Sequence, residues 1–178
     1  MVKIKKIIYI GFDGSNLAIK QNKFGKKVAL TERFKGIKKY CNVLSKTYPE
    51  VQPIIFADYG ILDLADDLTW LIEQINTWQI IQCEYGTKAD DCLIELLKSA
   101  PMHALIISRD KFREYRKEIP SIYSNIKWRF DAYFNNCELK VPEIRYQIEN
   151  IIELGTFGTR AIGSQLTGDM IGEFLGGV

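Results

Sequence analysis

The sequence predicts an α/β fold in which a mainly parallel sheet is covered by helices on both faces. Two observations carry that expectation. Short β-branched apolar runs alternate along the chain with amphipathic segments of helical period. The apolar runs also lack in/out alternation, the pattern of strands buried on both faces rather than half-solvated.

The elements follow in order. Residues 7–12 form the first apolar run. Lys3, Lys5 and Lys6 ahead of it mimic the charged start of a signal peptide. Asp13 interrupts the run before it reaches a useful length, and no small-residue cleavage site follows, so a buried strand is expected. Lys20, Lys23, Lys26 and Lys27 then mark a basic loop. Further strands are expected at residues 53–57, 80–83 and 104–107, with helices between them at 29–45, 64–77 and 91–99. Within 64–77, Leu68, Leu71, Ile72 and Ile75 fall on one helical stripe. A short helix is expected at 111–117, ended by Pro120. Residues 128–134, an Asn135-Asn136 turn and residues 138–141 read as a strand with an edge hairpin. Pro142 opens a helix over 142–154 that Gly155 stops. Residues 1–154 thus read as one domain. Residues 155–178 read as a glycine-rich amphipathic tail, either docking on a partner or a second copy or partly disordered.

Composition narrows the chemistry. No apolar run reaches the roughly 18 residues that span a bilayer. The gaps between Cys41, Cys83, Cys92 and Cys137 hold no CxxC pair, so the cysteines read as reduced core thiols of a cytoplasmic protein. His103 is the only histidine, which removes two-histidine acid-base chemistry and His-rich metal sites; it reads as a loop or strand-edge residue. The net charge of +2 conceals an asymmetry. Residues 1–40 carry eleven Lys/Arg against two acids, whereas residues 58–95 carry nine acids against Lys88. A basic surface beside an acidic cluster suits a polyanion held near a cation.

Ligands of open α/β sheets bind at the carboxyl ends of the strands. There the first strand delivers Asp13, Gly14, Ser15 and Asn16, and the second delivers Asp58, read as a loop or cap residue. The third leads to Asp90 and Asp91 at the start of a helix, and the fourth to Ser108, Arg109 and Asp110. Aspartates at helix starts also serve simply as caps. Converging carboxylates about 5 Å apart cost on the order of 3 kcal/mol per pair at an effective dielectric of ~20, unless protonated or bound to a cation. An oxygen-only donor set favours Mg²⁺ or Mn²⁺.

Residues 8–16 (IYIGFDGSN), 88–91 (KADD) and 106–115 (IISRDKFREY) resemble the NYN branch of the PIN-like nucleases, with the Regnase-type (zinc-finger CCCH-associated) ribonucleases nearest. The likeness spans roughly residues 5–135. It implies a three-layer sandwich with sheet order 3-2-1-4-5 and a metal-dependent endoribonuclease that leaves 5′-phosphate and 3′-hydroxyl ends. By motif, Asp13, Asp90, Asp91 and Asp110 correspond to the metal ligands, with Mg²⁺ or Mn²⁺ as cofactor. Asn16 corresponds to the residue that supports Asp13 and positions the phosphate, and Ser108 to the small hydroxyl residue two before Asp110. The chain departs from the pattern in lacking a CCCH finger and in placing Arg109 after Ser108. For gripping single-stranded or loop RNA the candidates are Lys20, Lys88, Arg109, Lys111 and Arg113, some of them beside Phe112 and Tyr115.

Two other readings stand beside this one. A non-catalytic RNA-binding or scaffold module would keep the fold. A haloacid-dehalogenase-like phosphatase would use Asp13 as nucleophile, but it needs a second carboxylate at the position of Ser15.

Overall fold

A computed structural model describes residues 7–157. Its centre is β1 (Ile8–Asp13), buried at every position. To one side lie β4 (Val51–Ala57) and β5 (Ile81–Gln82), and to the other β6 (Ala104–Ile107) and β7 (Arg129–Phe130). The order is β5-β4-β1-β6-β7 and every pairing is parallel. All five strands therefore end at the same edge. The expected α/β architecture is present, with helices on both faces of the sheet.

Strand alternation assigns each face its partner. Ile8, Ile10 and Phe12 point into a core shared with Phe34, Ile37 and Leu44 of α2 (Thr31–Thr47) and with Ile144 and Ile148 of α5 (Ile144–Phe157). Tyr9 points the other way, into a second core with Leu93, Ile94 and Leu97 of α4 (Ala89–Ser99), and with Phe112 and Tyr123. By the same period-2 rule Asp13 faces the α4 side, as does Ser108 beyond β6. Gly11 makes the close approach of α4 possible: a Cβ there would lie 2.4 Å from a methyl carbon of Leu93. At Gly14 it would meet the Phe56 carbonyl at 2.7 Å. Both glycines are needed for space.

Several boundaries differ from expectation, each for a tertiary reason. The basic loop is the tip of an exposed hairpin. β2 (Ile19–Gln21) follows the short helix α1 (Gly14–Ala18) and pairs with β3 (Lys27–Ala29), so α2 starts at Thr31 rather than at 29. The helix expected at 64–77 starts only at Leu68, as α3 (Leu68–Asn76), after a separate 3₁₀ turn (Tyr59–Leu64) and a break between them. The break releases Asp66, whose carboxylate accepts from the backbone N–H and hydroxyl of Thr31 and so caps α2. Asp67 caps α3 through Trp70 N–H.

The helix expected at 111–117 is absent; those residues form loop and turns. Asp110 Oδ1 accepts the Phe112 N–H at 2.7 Å, and Phe112 adopts a left-handed φ of +48° that no helix accommodates. Complete burial of its ring against Trp128 and Tyr115 favours this conformation over helix propensity. The strand expected at 128–134 divides into β7 and β8 (Tyr133–Asn135), the latter paired with β9 (Glu138–Lys140). The turn between them is Asn136-Cys137, both at positive φ. It leaves Cys137 exposed, against the expectation of four core thiols; Cys41 and Cys83 are buried, Cys92 is half-buried, and all four are free. α5 begins at Ile144 and continues through Gly155 to Phe157, past its expected stop. The remainder of the glycine-rich tail lies outside the described residues. Among those that are described, no helix is long and apolar enough to cross a membrane.

Candidate active site at the carboxyl edge of the sheet

Asp13 is the fixed point of this edge. It ends β1, is 2% exposed, and caps α1 by accepting the Asn16 N–H at 2.9 Å on Oδ1. Its Oδ2 accepts the Ser108 hydroxyl at 2.7 Å, a bond that spans 95 residues and ties the ends of β1 and β6 together. Ser108 Oγ in turn accepts the Asp110 N–H at 3.0 Å. Burial pushes the Asp13 carboxyl up to about 6, against the lowering effect of its bonds to Ser108 and Asn16 and with a further upward push from the charges of Asp58 and Asp110.

Asp90 approaches from the start of α4. It is half-buried, and its carboxyl is pushed up to about 7, first by burial and then by the negative charges of Asp13, Asp110, Asp58 and Glu114. Among the described residues no hydrogen-bond donor or cation lies against it. Asp91, its neighbour in sequence, is fully engaged. Its Oδ2 accepts the Lys88 N–H at 2.9 Å and its Oδ1 the Tyr115 hydroxyl at 2.6 Å. Burial and that bond raise the Tyr115 phenol above its ordinary range. Asp91 is a helix cap, and its charge is not among those that raise Asp13 or Asp90.

Of the residues expected here, Asp13, Asn16, Ser108 and Asp110 are brought into one bonded unit, and Asp90 joins them through its field. Asp58 was read as a loop or cap residue and does cap: its Oδ1 accepts the Ala89 N–H at 2.7 Å, while its charge still acts on Asp13 and Asp90. Its own N–H donates to Ser15 Oγ at 2.7 Å, at the position where a dehalogenase-type phosphatase needs a carboxylic acid rather than a hydroxyl.

Arg109 lies over Asn16, donating from its backbone N–H and its Nε to Asn16 Oδ1 at 3.1 and 3.3 Å. Arg33, which nothing in the sequence singles out, reaches the same place from α2. Lys20, Lys88, Lys111 and Arg113 are exposed. Tyr59 and Tyr85, following β4 and β5, form an exposed edge-to-face pair with ring centroids 5.0 Å apart. The sequence carried no signal for that pairing, since the two loops are distant along the chain. A groove of about 450 Å³ lined by Lys35, Lys38, Lys46 and Trp70 lies elsewhere, along α2.

The donor set suits a hard cation: all oxygen, net negative, with one carboxylate that lacks any donor. Among the described residues, no group of three or more His, Cys, Asp or Glu side chains already stands in ligand geometry. No protein-family model matches the chain, and no curated protein does.

Proposed function

We propose that the protein is a metal-dependent endoribonuclease of the NYN/PIN-like kind, acting on single-stranded or loop RNA. The observation that carries this reading is the meeting of Asp13, Asp58, Asp90 and Asp110 at one sheet edge, with Asp13 locked by Asn16 and Ser108. Two further facts support it. Counted along the chain, the five strands of the central sheet lie in the order third, second, first, fourth, fifth, which the motif resemblance implies. The exposed Tyr59–Tyr85 pair on the same edge offers rings on which unpaired bases stack.

Mg²⁺ or Mn²⁺ would be held by Asp13, Asp90 and Asp110. When bound, such an ion polarises the phosphodiester and lowers the pKa of water. Asp91 accepts from Lys88 and Tyr115, and its charge is not among those that act on Asp13 or Asp90, so it stands outside that set. The chain's own residues do the rest. Ser108 and Asn16 hold the Asp13 carboxylate in one orientation. Asn16 gives its side-chain oxygen to Arg109, which leaves its amide N–H groups to donate to a phosphate oxygen. Water adds to phosphorus, the bond to the 3′ oxygen breaks, and the proton passes to that oxygen, leaving 5′-phosphate and 3′-hydroxyl ends.

The test is cleavage of fluorescent single-stranded and hairpin RNA in Mn²⁺, Mg²⁺ and EDTA, beside Asp13→Asn. Cutting that EDTA and the substitution both abolish is expected. Cutting that survives either one, or no cutting of any substrate by folded protein, would remove the reading. The absence of ready-made ligand geometry among the described residues favours one alternative, an RNA-binding module without catalysis. It predicts RNA binding that neither metal nor Asp13→Asn alters.

A further inference from the structure

Arg33 and Arg109 come from different elements and end on the same atom. Arg33 Nη1 donates to the carbonyls of Leu17 and Ile19 at 3.2 and 3.3 Å, and Arg109 Nη2 donates to the Ile19 carbonyl at 3.5 Å. Two guanidinium groups are therefore neighbours, and like charges at that range repel. The Arg33 guanidinium is pushed below its ordinary range by burial and by the charge of Arg109. Among the described residues neither arginine takes part in an ion pair. Each is instead held in place by neutral groups: the two carbonyls and the Phe134 ring, 5.0 Å away, for Arg33, and Asn16 and Ile19 for Arg109. An arginine has five N–H donors, and these bonds leave several of them unspent. The pair is separated from Asp13 by one residue, Asn16, which bonds to both Arg109 and Asp13.

We propose that Arg33 and Arg109 form a clamp for one phosphodiester group of a single-stranded RNA, next along the backbone from the phosphate that faces the carboxylates. The proposal rests on the nuclease reading for the identity of its ligand. The chemistry is that of the guanidinium fork, whose planar donors match two oxygens of a phosphate. A phosphate between the two arginines offsets the repulsion that the bare pair carries. It also sets direction: the strand enters over β6 and α2 on the basic flank and crosses the carboxylates toward the exposed tyrosines beyond β4 and β5.

The test uses the full chain and a short fluorescein-labelled single-stranded RNA in EDTA, titrated at several salt concentrations, with a thermal melt of each variant. Arg33→Gln and Arg109→Gln are each expected to weaken binding roughly tenfold. For every phosphate that a variant no longer neutralises, the slope of log K against log salt should become shallower by about 0.7. The double substitution Arg33→Lys with Arg109→Lys should keep the slope but not the affinity, because charge is retained and the fork is lost. With Mn²⁺ added, Arg33→Gln should raise KM and change kcat little, whereas Arg109→Gln, which also loses the Nε bond that orients Asn16, should raise KM and lower kcat.

Variants that melt lower yet bind with an unchanged slope would overturn the clamp and reduce the arginines to props for the hairpin. Should Arg33→Gln fail to fold, the exposed Arg109→Gln and the Lys pair carry the same comparison. Binding whose slope falls in the variants, without cutting by the wild type, keeps the clamp and removes the nuclease. Cutting with an unchanged slope does the reverse, and a wild type that neither binds nor cuts RNA removes both.

Discussion

Asp90 and Asp91 stand next to each other at the start of one helix and live in opposite circumstances. Asp91 has two donors on its two oxygens and behaves as a structural cap. Asp90 has none among the described residues, and faces four other negative charges. The same contrast holds at larger scale between the β1–β6 half of the edge, where Asp13, Asn16, Ser108 and Asp110 are bonded into one unit, and the α4 half, where charge accumulates without relief. A hydrogen-bonded half supplies position; an unrelieved half supplies the demand for a counter-ion. Position and demand are separate physical quantities, and substitutions can disturb one without the other.

The largest effect should come from the demand side. Asp90→Asn removes a carboxylate from the proposed ion set, which is worth several kcal/mol of charge stabilisation, or roughly a thousandfold in cleavage rate. Rate assays at saturating RNA decide this, and a loss under tenfold would place Asp90 outside the reaction.

The next contrast is with pH in metal-free protein. The folded-state carboxyl of Asp13 is raised from 3.8 to about 6, so the native state holds a proton that the unfolded chain releases. Its contribution is most favourable below about pH 4 and is lost as pH rises through 6. A rise of that size corresponds to about 3 kcal/mol, and Asp90, raised to about 7, acts in the same direction. Tm in EDTA should therefore fall between pH 4 and 7. Mn²⁺ should raise Tm at pH 7.5 and do so far less at pH 5, where protons compete for the same oxygens. A metal-free Tm that climbs across this window would refute the assignment.

Packing comes third. Gly11→Val drives a branched side chain into the δ-methyls of Leu93 and Leu96, which must repack beneath α4 and so loosen its seat, and that of Asp90, on the sheet. Overpacking of this kind costs about 1–3 kcal/mol. A urea melt measures it, and cation affinity should fall along with stability.

Ser108→Ala attacks position alone. Asp13 keeps its charge but loses the bond that fixes its orientation, so cation affinity and rate should drop by ~10–100-fold while the fold persists. The Asp13 carboxyl should also titrate higher, because the missing bond favoured the charged form. Manganese titration by calorimetry and carboxyl NMR read the two effects. Asp91→Asn is the smallest. It should cost about 1 kcal/mol of stability through the weakened cap and leave cation affinity within a few-fold. An effect as large as that of Asp90→Asn would erase the contrast between the two residues.

Much of the candidate site could be read along the chain because its parts are local. Asp13, Asn16, Ser108 and Asp110 each lie within three residues of the end of a buried strand, and buried parallel strands are recognisable as uninterrupted apolar runs. What escaped was whatever needed two distant segments at once. Asp66 caps a helix that begins 35 residues earlier. Tyr59 meets Tyr85, and Arg33 meets Arg109, across segments that share no pattern. The short helix expected at 111–117 failed for a related reason. Burial of the Phe112 ring and the Asp110 bond to its N–H stabilise a left-handed residue there.

Apolar runs, their lack of alternation and the residues at their ends determined from sequence alone that this chain builds an α/β sheet with acids along one edge. That follows from backbone and burial rules acting over a few residues at a time. Which acid is satisfied and which is left charged was decided only in three dimensions. Asp90 and Asp91 are the same amino acid one position apart. A helix turns each successive residue by about 100°, so one carboxylate meets Tyr115 and the Lys88 N–H while the other meets the field of Asp13.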